Sequence, residues 1–233
     1  MILIGMSHLL LKNNPREDQA EHLSIMLFSA NNLLGIVNDI LDYNKIEAGK
    51  IELDYIEIDV VGIARNIVAG LENNAEEKGI ELKLVVDPVL NNKVLGDPTR
   101  IFQVLTNLVH NAIKFTKKGD VWINAMMVKE KSKSVKIYFE VRDNGIGIPK
   151  EKQDTIFDSF TQGSVEINRK YGGTGLGLAI VKRLVHILGG KISLESETNK
   201  GCTFFFELSF KVSNVEIVKK PEIIYDETWL KDK

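Results

Sequence analysis

Only one cysteine stands in these 233 residues. A lone Cys202 excludes an internal disulfide framework and fits a reducing compartment. Four histidines, scattered along the chain, give no zinc-binding spacing. An excess of one charge is missing too: 30 Lys and Arg against 32 Asp and Glu leave a net of -2, so nothing electrostatic supports nucleic-acid binding. No run of apolar residues reads as membrane-spanning. The opening MILIGMSHLLL lacks the basic start and small-residue cleavage site of a secretory signal. A G-x-x-x-x-G-K-[ST] phosphate loop is also lacking, and Gly175-x-Gly177 leads to Ile180 where a dinucleotide fingerprint requires glycine or alanine. What is left is an ordinary soluble composition, 44% hydrophobic and 27% charged, enough for one or two domains with a core.

Two helices open the chain, residues 1–12 and about 16–45, broken by Asn13-Asn14-Pro15. In the second, Leu23, Leu27, Ala30, Leu34, Val37 and Leu41 step alternately by four and three, the pattern of a bundle seam. Such a hairpin cannot bury that seam alone, so a partner chain or a further N-terminal helix is expected. From Ile51 the period changes. Alternation predicts strands at Ile51–Tyr55, Ile80–Val86, Val121–Lys129, Val135–Val141, Lys191–Glu197 and Cys202–Val212. Helices are predicted from Asp59 to Gly79, from Asp97-Pro98 through Ala112, near Glu151–Phe157, and from Thr174 to Leu188. The sum is an α+β chain: a helical hairpin (1–48), a two-layer α/β sandwich with helices on one face of the sheet (49–212), and a charged linker (213–233).

Three pieces carry chemistry. NLVHNAIKFT places Asn107, Asn111 and Lys114 on one helical face. Asn111 offers a carboxamide oxygen to a hard cation such as magnesium, and Lys114 can meet a phosphate. DNGIGIP ends a strand. There the Asp143 carboxylate can accept from the exocyclic amine of adenine, and Gly145 and Gly147 let a flat base lie close. YGGTGLGLA turns into a helix, with Gly172, Gly173, Gly175 and Gly177 offering amides to phosphate at the positive helix end. Taken singly, each piece is equally a solvated helix face or a plain turn.

In order and spacing, the three resemble the N box and the two principal glycine boxes of sensor histidine kinases. FDSFTQ (157–162) resembles the family's F box and GCTFFF (201–206) its last glycine box. The likeness covers about 1–212, nearest to hybrid kinases, and implies the Bergerat ATP-binding fold shared with gyrase, Hsp90 and MutL. Asn111 is then the magnesium ligand, with Asn107, Lys114 and the neighbouring His110 at the phosphate end. Asp143 binds the adenine amine over Gly145, Gly147 and Ile148, and Thr203 borders the base. The stretch 157–174 is a lid from which Arg169, Lys170 and Tyr171 reach toward ATP. Gly173, Thr174, Gly175, Leu176 and Gly177 hold the phosphates. Hydrolysing relatives carry a glutamate four residues before the magnesium asparagine. Asn107 stands there and cannot act as a base, which favours transfer to a protein acceptor over hydrolysis.

The resemblance also implies partners: ATP with Mg2+, a phospho-acceptor histidine hairpin, a response-regulator receiver domain, a second copy through the N-terminal helices, and a cytoplasmic site of action. His8, followed by Leu9-Leu10-Leu11-Lys12, lacks the H-E-[IL]-R-T-P surroundings of the acceptor, so the acceptor box is expected outside the chain. Two alternatives remain: a nucleotide-binding regulatory module or degenerate kinase without phosphotransfer, and a gyrase-like ATPase, which would need a glutamate at 107.

Overall fold

The computed structural model describes residues 2–90, 93–131, 133–161 and 174–212. Helices α1 (Ile2–Lys12) and α2 (Glu17–Glu47) pack as a hairpin, with Ile4, Ser7 and Leu11 facing Leu23, Leu27, Ala30 and Leu34. Ser7 is buried because its hydroxyl donates to Leu3 O at 2.9 Å. By length and composition α2 could cross a membrane, its best 18-residue window having a mean hydropathy of 1.3, which corrects the expectation that no stretch reaches that mark. None of that window is buried, while Ile46, in the last turn of α2, enters the core of the sheet domain.

The remaining elements are β1 (Ile56–Ile58), α3 (Val60–Glu76), β2 (Ile80–Val86), β3 (Val94–Gly96), α4 (Pro98–Phe115), β4 (Gly119–Lys131), β5 (Ser134–Asp143), the short α5 (Lys150–Gln153), α6 (Gly177–Ile187), β6 (Ile192–Glu197) and β7 (Gly201–Val212). The sheet order is β1-β3-β7-β5-β4-β2, with β6 also pairing β7; β2 and β4 are parallel and the other pairs antiparallel. Asp59 caps α3 by accepting from Gly62 N at 2.8 Å, and Gly79 closes that helix at φ +67°. Buried Asp97 caps α4, one carboxylate oxygen accepting from Arg100 N at 3.0 Å and the other from Asp54 N at 3.1 Å.

That second bond explains a correction. Residues 51–55 alternate in sequence but form no strand, because the Asp54 amide is spent on a helix cap instead of a ladder; the strand begins only at Ile56. The three-residue β3, which no sequence signal marked, is held between β1 and β7.

One face of the sheet is covered. Val121, Ile123 and Ala125, then Ile137, Phe139 and Val141, then Phe204, Phe206, Leu208 and Phe210 alternate inward against α4 and α6. The larger of these contribute roughly 1.5–3 kcal/mol each on burial. On the opposite face Trp122 lies between Lys83 at 5.5 Å and Arg142 at 5.2 Å from its ring centre.

Candidate nucleotide-binding site

Everything that matters converges on the second half of α4. Asn107, Asn111 and Lys114 are half-buried along one flank. The helix ends at Thr116, and the Phe115 carbonyl just before it accepts from Ile146 N at 3.3 Å. A Cβ on Gly145 would come within 2.6 Å of that same carbonyl oxygen, so only glycine lets the 143–148 turn lie against the helix end. From the other side comes the start of α6: a Cβ on Gly177 would stand 3.5 Å from Asn107 Oδ1 and 4.0 Å from Asn111 Nδ2. The three sequence pieces therefore come together around the second half of α4.

Asp143 is 6% exposed at the end of β5. Its Oδ1 accepts from Gly145 N at 2.8 Å. Burial pushes its carboxyl above the ordinary range, and the amides of Gly145 and Cys202 partly offset this. Gly147, at φ +66°, packs on the Glu197 carbonyl where no Cβ fits. Asn144 pins the turn to β4 by accepting from Asp120 N at 2.9 Å. Ile148 has its amide engaged by Ser196 Oγ and its carbonyl by Gln153 Nε2, which leaves only its side chain toward a ligand.

Thr203 needs correcting. It pairs with Arg142, whereas Cys202 pairs with Asp143, and strand alternation sends Thr203 to the opposite face of the sheet. The residue beside Asp143 is Cys202. Its thiol is pushed up to about 12, by burial first and then by the Asp143 charge.

Just before α6, Leu176 N donates to Thr174 Oγ1 at 3.1 Å, and Gly175 takes φ +73°. The Leu176 side chain is fully buried, so only its backbone can serve a ligand. Helix α6 begins at Gly177, three residues later than periodicity suggested. Burial of Lys114 and the charge of Lys78 lower its pKa. Desolvation, with Lys114 and Lys78, lowers His110, and Asp39 opposes. His110 is open to solvent on its outer side, so its shift carries no weight in stability. Arg169, Lys170, Tyr171, Gly172 and Gly173, with most of the expected lid, lie outside the described residues.

Sequence reasoning missed a polar stripe on the last turns of α2. Thr174 Oγ1 donates to Asp39 Oδ2 at 3.0 Å, Gln103 Nε2 to Asp42 Oδ2 at 2.7 Å, and Ser159 Oγ to Tyr43 Oη at 3.0 Å. Arg183 pairs with Glu47 and lies over the Tyr43 ring. Positions 39, 42, 43, 46 and 47 share one helical face, a spacing that was visible but that apolar periodicity outside the seam does not flag. A cavity of about 710 Å³ lies beside this contact, between Ile46, Phe157 and the far half of α6. It is separate from the cleft, and it contains neither asparagine of α4 nor Asp143.

Comparison with known proteins gives this geometry its class. Residues 96–212 match the model described as histidine kinase-, DNA gyrase B-, and HSP90-like ATPase, and residues 1–49 that of the His kinase A phospho-acceptor domain. The chain belongs to the histidine kinase-, gyrase B- and HSP90-like ATPase family, and its fold is the ATP-binding core of a sensor histidine kinase behind a helical part of phospho-acceptor type. The expectation that the acceptor-histidine box lies outside this chain is corrected in part: the phospho-acceptor domain pattern extends over residues 1–49. Signal transduction histidine-protein kinase BarA of Escherichia coli (strain K12) is 40% identical over 94% of the chain, which spans 24% of BarA. Full-length ShkA in complex with AMPPNP superposes with TM-score 0.74 at 32% identity, covering 91% of this chain and 43% of that one. ThkA in complex with the response regulator TrrA gives TM-score 0.59 at 27% identity, covering 89% and 56%. The chain thus spans about a quarter of a relative such as BarA.

Proposed function

We propose that this chain binds ATP in the cleft between α4, the Asp143 turn and the α6 start, and transfers the γ-phosphoryl group to a histidine imidazole. The bond from the γ-phosphorus to the bridging oxygen of ADP breaks as a phosphorus–nitrogen bond to the acceptor forms. What carries the reading is the close approach of Gly177 to both Asn107 and Asn111. It puts a helix N-terminus, which favours anions, against two carboxamides at the phosphate end. Asp143 receives the adenine amine above Gly145 and Gly147. Lys114, whose pKa is lowered by burial and by the charge of Lys78, stands on the same flank to meet a phosphate.

A divalent cation fits the donor set. Among the described residues no group of three His, Cys, Asp or Glu could hold a metal, so an ion here would rest on the Asn111 oxygen and on nucleotide phosphates. When bound, magnesium would neutralise charge on the phosphates. Asn107 lacks basicity, so water is not activated at that position. Transfer rests on positioning and electrostatics.

His8 is exposed on α1 but lacks the acidic neighbour and the proline of an acceptor box, so it is not read as the acceptor. The bare apolar face of α2, Leu33, Ile36, Val37, Ile40 and Leu41, supports pairing with a second copy. The likeness to the ThkA–TrrA complex supports a response-regulator receiver domain as the downstream partner. The test is incubation with γ-labelled ATP, Mg2+ and a separately supplied acceptor hairpin. Acid-labile label on the hairpin is expected, and nucleotide binding without label would favour a regulatory module instead.

A further inference from the structure

The 143–148 turn is anchored unequally at its two ends. Its first residue, Asp143, belongs to the β5–β7 ladder, paired with Cys202, and backbone pairing holds it. Its last residues leave the sheet, and no ladder reaches them. There the fixing is done by two side chains that neither composition nor motif singles out. Ser196 Oγ accepts from Ile148 N at 2.8 Å and donates to Gly201 O at 2.8 Å. Gln153 Nε2 donates to Ile148 O at 2.9 Å and to Ser196 O at 2.9 Å. The bonds close a ring, Ser196 to Ile148 to Gln153 and back to Ser196, and both polar groups of the Ile148 backbone are used.

The ring sits directly under the base platform. Ser196 pairs in register with Cys202, which pairs with Asp143, so the hydroxyl and the carboxylate lie two strands apart on one row of the sheet. The single hydroxyl proton goes to Gly201 O, so the Cys202 thiol, 3.2 Å from Ser196 Oγ, is left to donate. Gly201 in turn presses on the Asp143 backbone, where a Cβ would stand far inside contact distance of the Asp143 carbonyl. One additional backbone bond, Asn199 N to Ile146 O at 2.8 Å, supports the middle of the turn. Among the described residues, the hydrogen bonds that fix the distal half of the turn thus come from the β6–β7 hairpin, α5 and the end of α4.

We propose that Ser196 and Gln153 are positioning residues for base recognition, holding Gly145–Ile148 at the height and tilt that let Asp143 distinguish adenine from a base without the exocyclic amine. This rests on the nucleotide reading above. A carboxylate aimed at one donor discriminates only while its distance to the base is fixed, because a hydrogen bond weakens steeply with misalignment. Sites built around one such donor reject analogues that lack it by orders of magnitude. Loosening the platform costs selectivity before it costs affinity for the phosphates, which α4 and α6 hold independently.

The experiment measures binding of ADP and of IDP, which carries a carbonyl where adenine carries its amine, to the whole chain. The proteins are wild type, Ser196→Ala, Ser196→Thr and Gln153→Ala. Wild type is expected to prefer ADP, and Ser196→Ala and Gln153→Ala to lower that preference by roughly tenfold, the scale of one hydrogen bond lost. Ser196→Thr, which keeps the hydroxyl, is expected to restore it. A merely structural role would lower melting temperature and weaken both nucleotides alike, leaving the ratio unchanged, and that result overturns the proposal. If Ser196→Ala fails to fold, Gln153→Ala on exposed α5 decides alone. A wild type that binds ADP and IDP equally contradicts the base assignment itself, not only this inference.

Discussion

Helices α2 and α4 are both amphipathic in sequence, and they are put to opposite use. Helix α4 buries seven of its 18 residues, Ile101 to Ile113, under the sheet. Helix α2, with 31 residues, buries only Ile46. The difference is a matter of partners present. The α4 face meets a complete sheet, and what it leaves outward, Asn107, Asn111 and Lys114, lines a cleft. Among the described residues the α2 seam meets the 11-residue α1 and, near its end, α6, and much of its apolar surface stays bare. The catalytic layer packs its own helices against its sheet, and the hairpin joins it through Ile46 and through polar contacts over its last turns.

The comparison can be broken most forcefully inside α4. Leu108→Ala should cost about 2–5 kcal/mol in denaturant unfolding, as expected for a fully buried leucine; a loss under 1 kcal/mol would mean that the layer is not packed as described. Next in size is the site. Asn111→Asp sets a charge against the phosphates and should weaken ATP binding by roughly a hundredfold, the cost of one charge-assisted bond made repulsive, with melting temperature little changed. Calorimetry with Mg-ATP gives the answer.

Asp143 separates function from stability. Its folded pKa is raised above the ordinary 3.8, chiefly by burial, so the native state holds its proton more tightly than the unfolded chain does. Stability from this group is present below 3.8 and is lost as pH rises through the raised value. Asp143→Asn removes that loss. At neutral pH the variant should be no less stable than wild type, yet bind adenine nucleotides about tenfold more weakly. Parallel unfolding and binding series across pH would expose a stability penalty, which would contradict the assignment.

Smaller effects belong to the hairpin. A double-mutant cycle of Asp42→Ala with Gln103→Ala should show coupling of about 0.5–1.5 kcal/mol, one partly buried hydrogen bond. Ile40→Ser, on the bare face, should leave unfolding of the catalytic layer within about 0.5 kcal/mol while shifting sedimentation toward monomer. If instead it unfolds the catalytic layer, the two regions are not separable as described.

How much of this was legible follows the same division. Caps were readable because they are local: Asp59, Asp97 and Gly79 act on residues within one turn, and each stands where the sequence put it. Strand existence was readable where the ladder partner is long. It failed at 51–55 and at β3, where pairing depends on distant neighbours. Parity defeated the placement of Thr203: a one-residue shift moves a strand side chain through the sheet, and only the register with Asp143 shows that Cys202 is the neighbour. The cleft was legible as three glycine- and asparagine-bearing pieces. Its brace, Ser196 and Gln153, and the α2 stripe were not, since each depends on contacts across tens of residues.

Amide hydrogen exchange with and without Mg-AMPPNP would test the shared cleft most directly. Joint protection of 107–115, 143–148 and 175–178 on nucleotide addition is the expected outcome. Protection confined to one of those segments, or centred on the groove between Ile46, Phe157 and His186, would contradict the site.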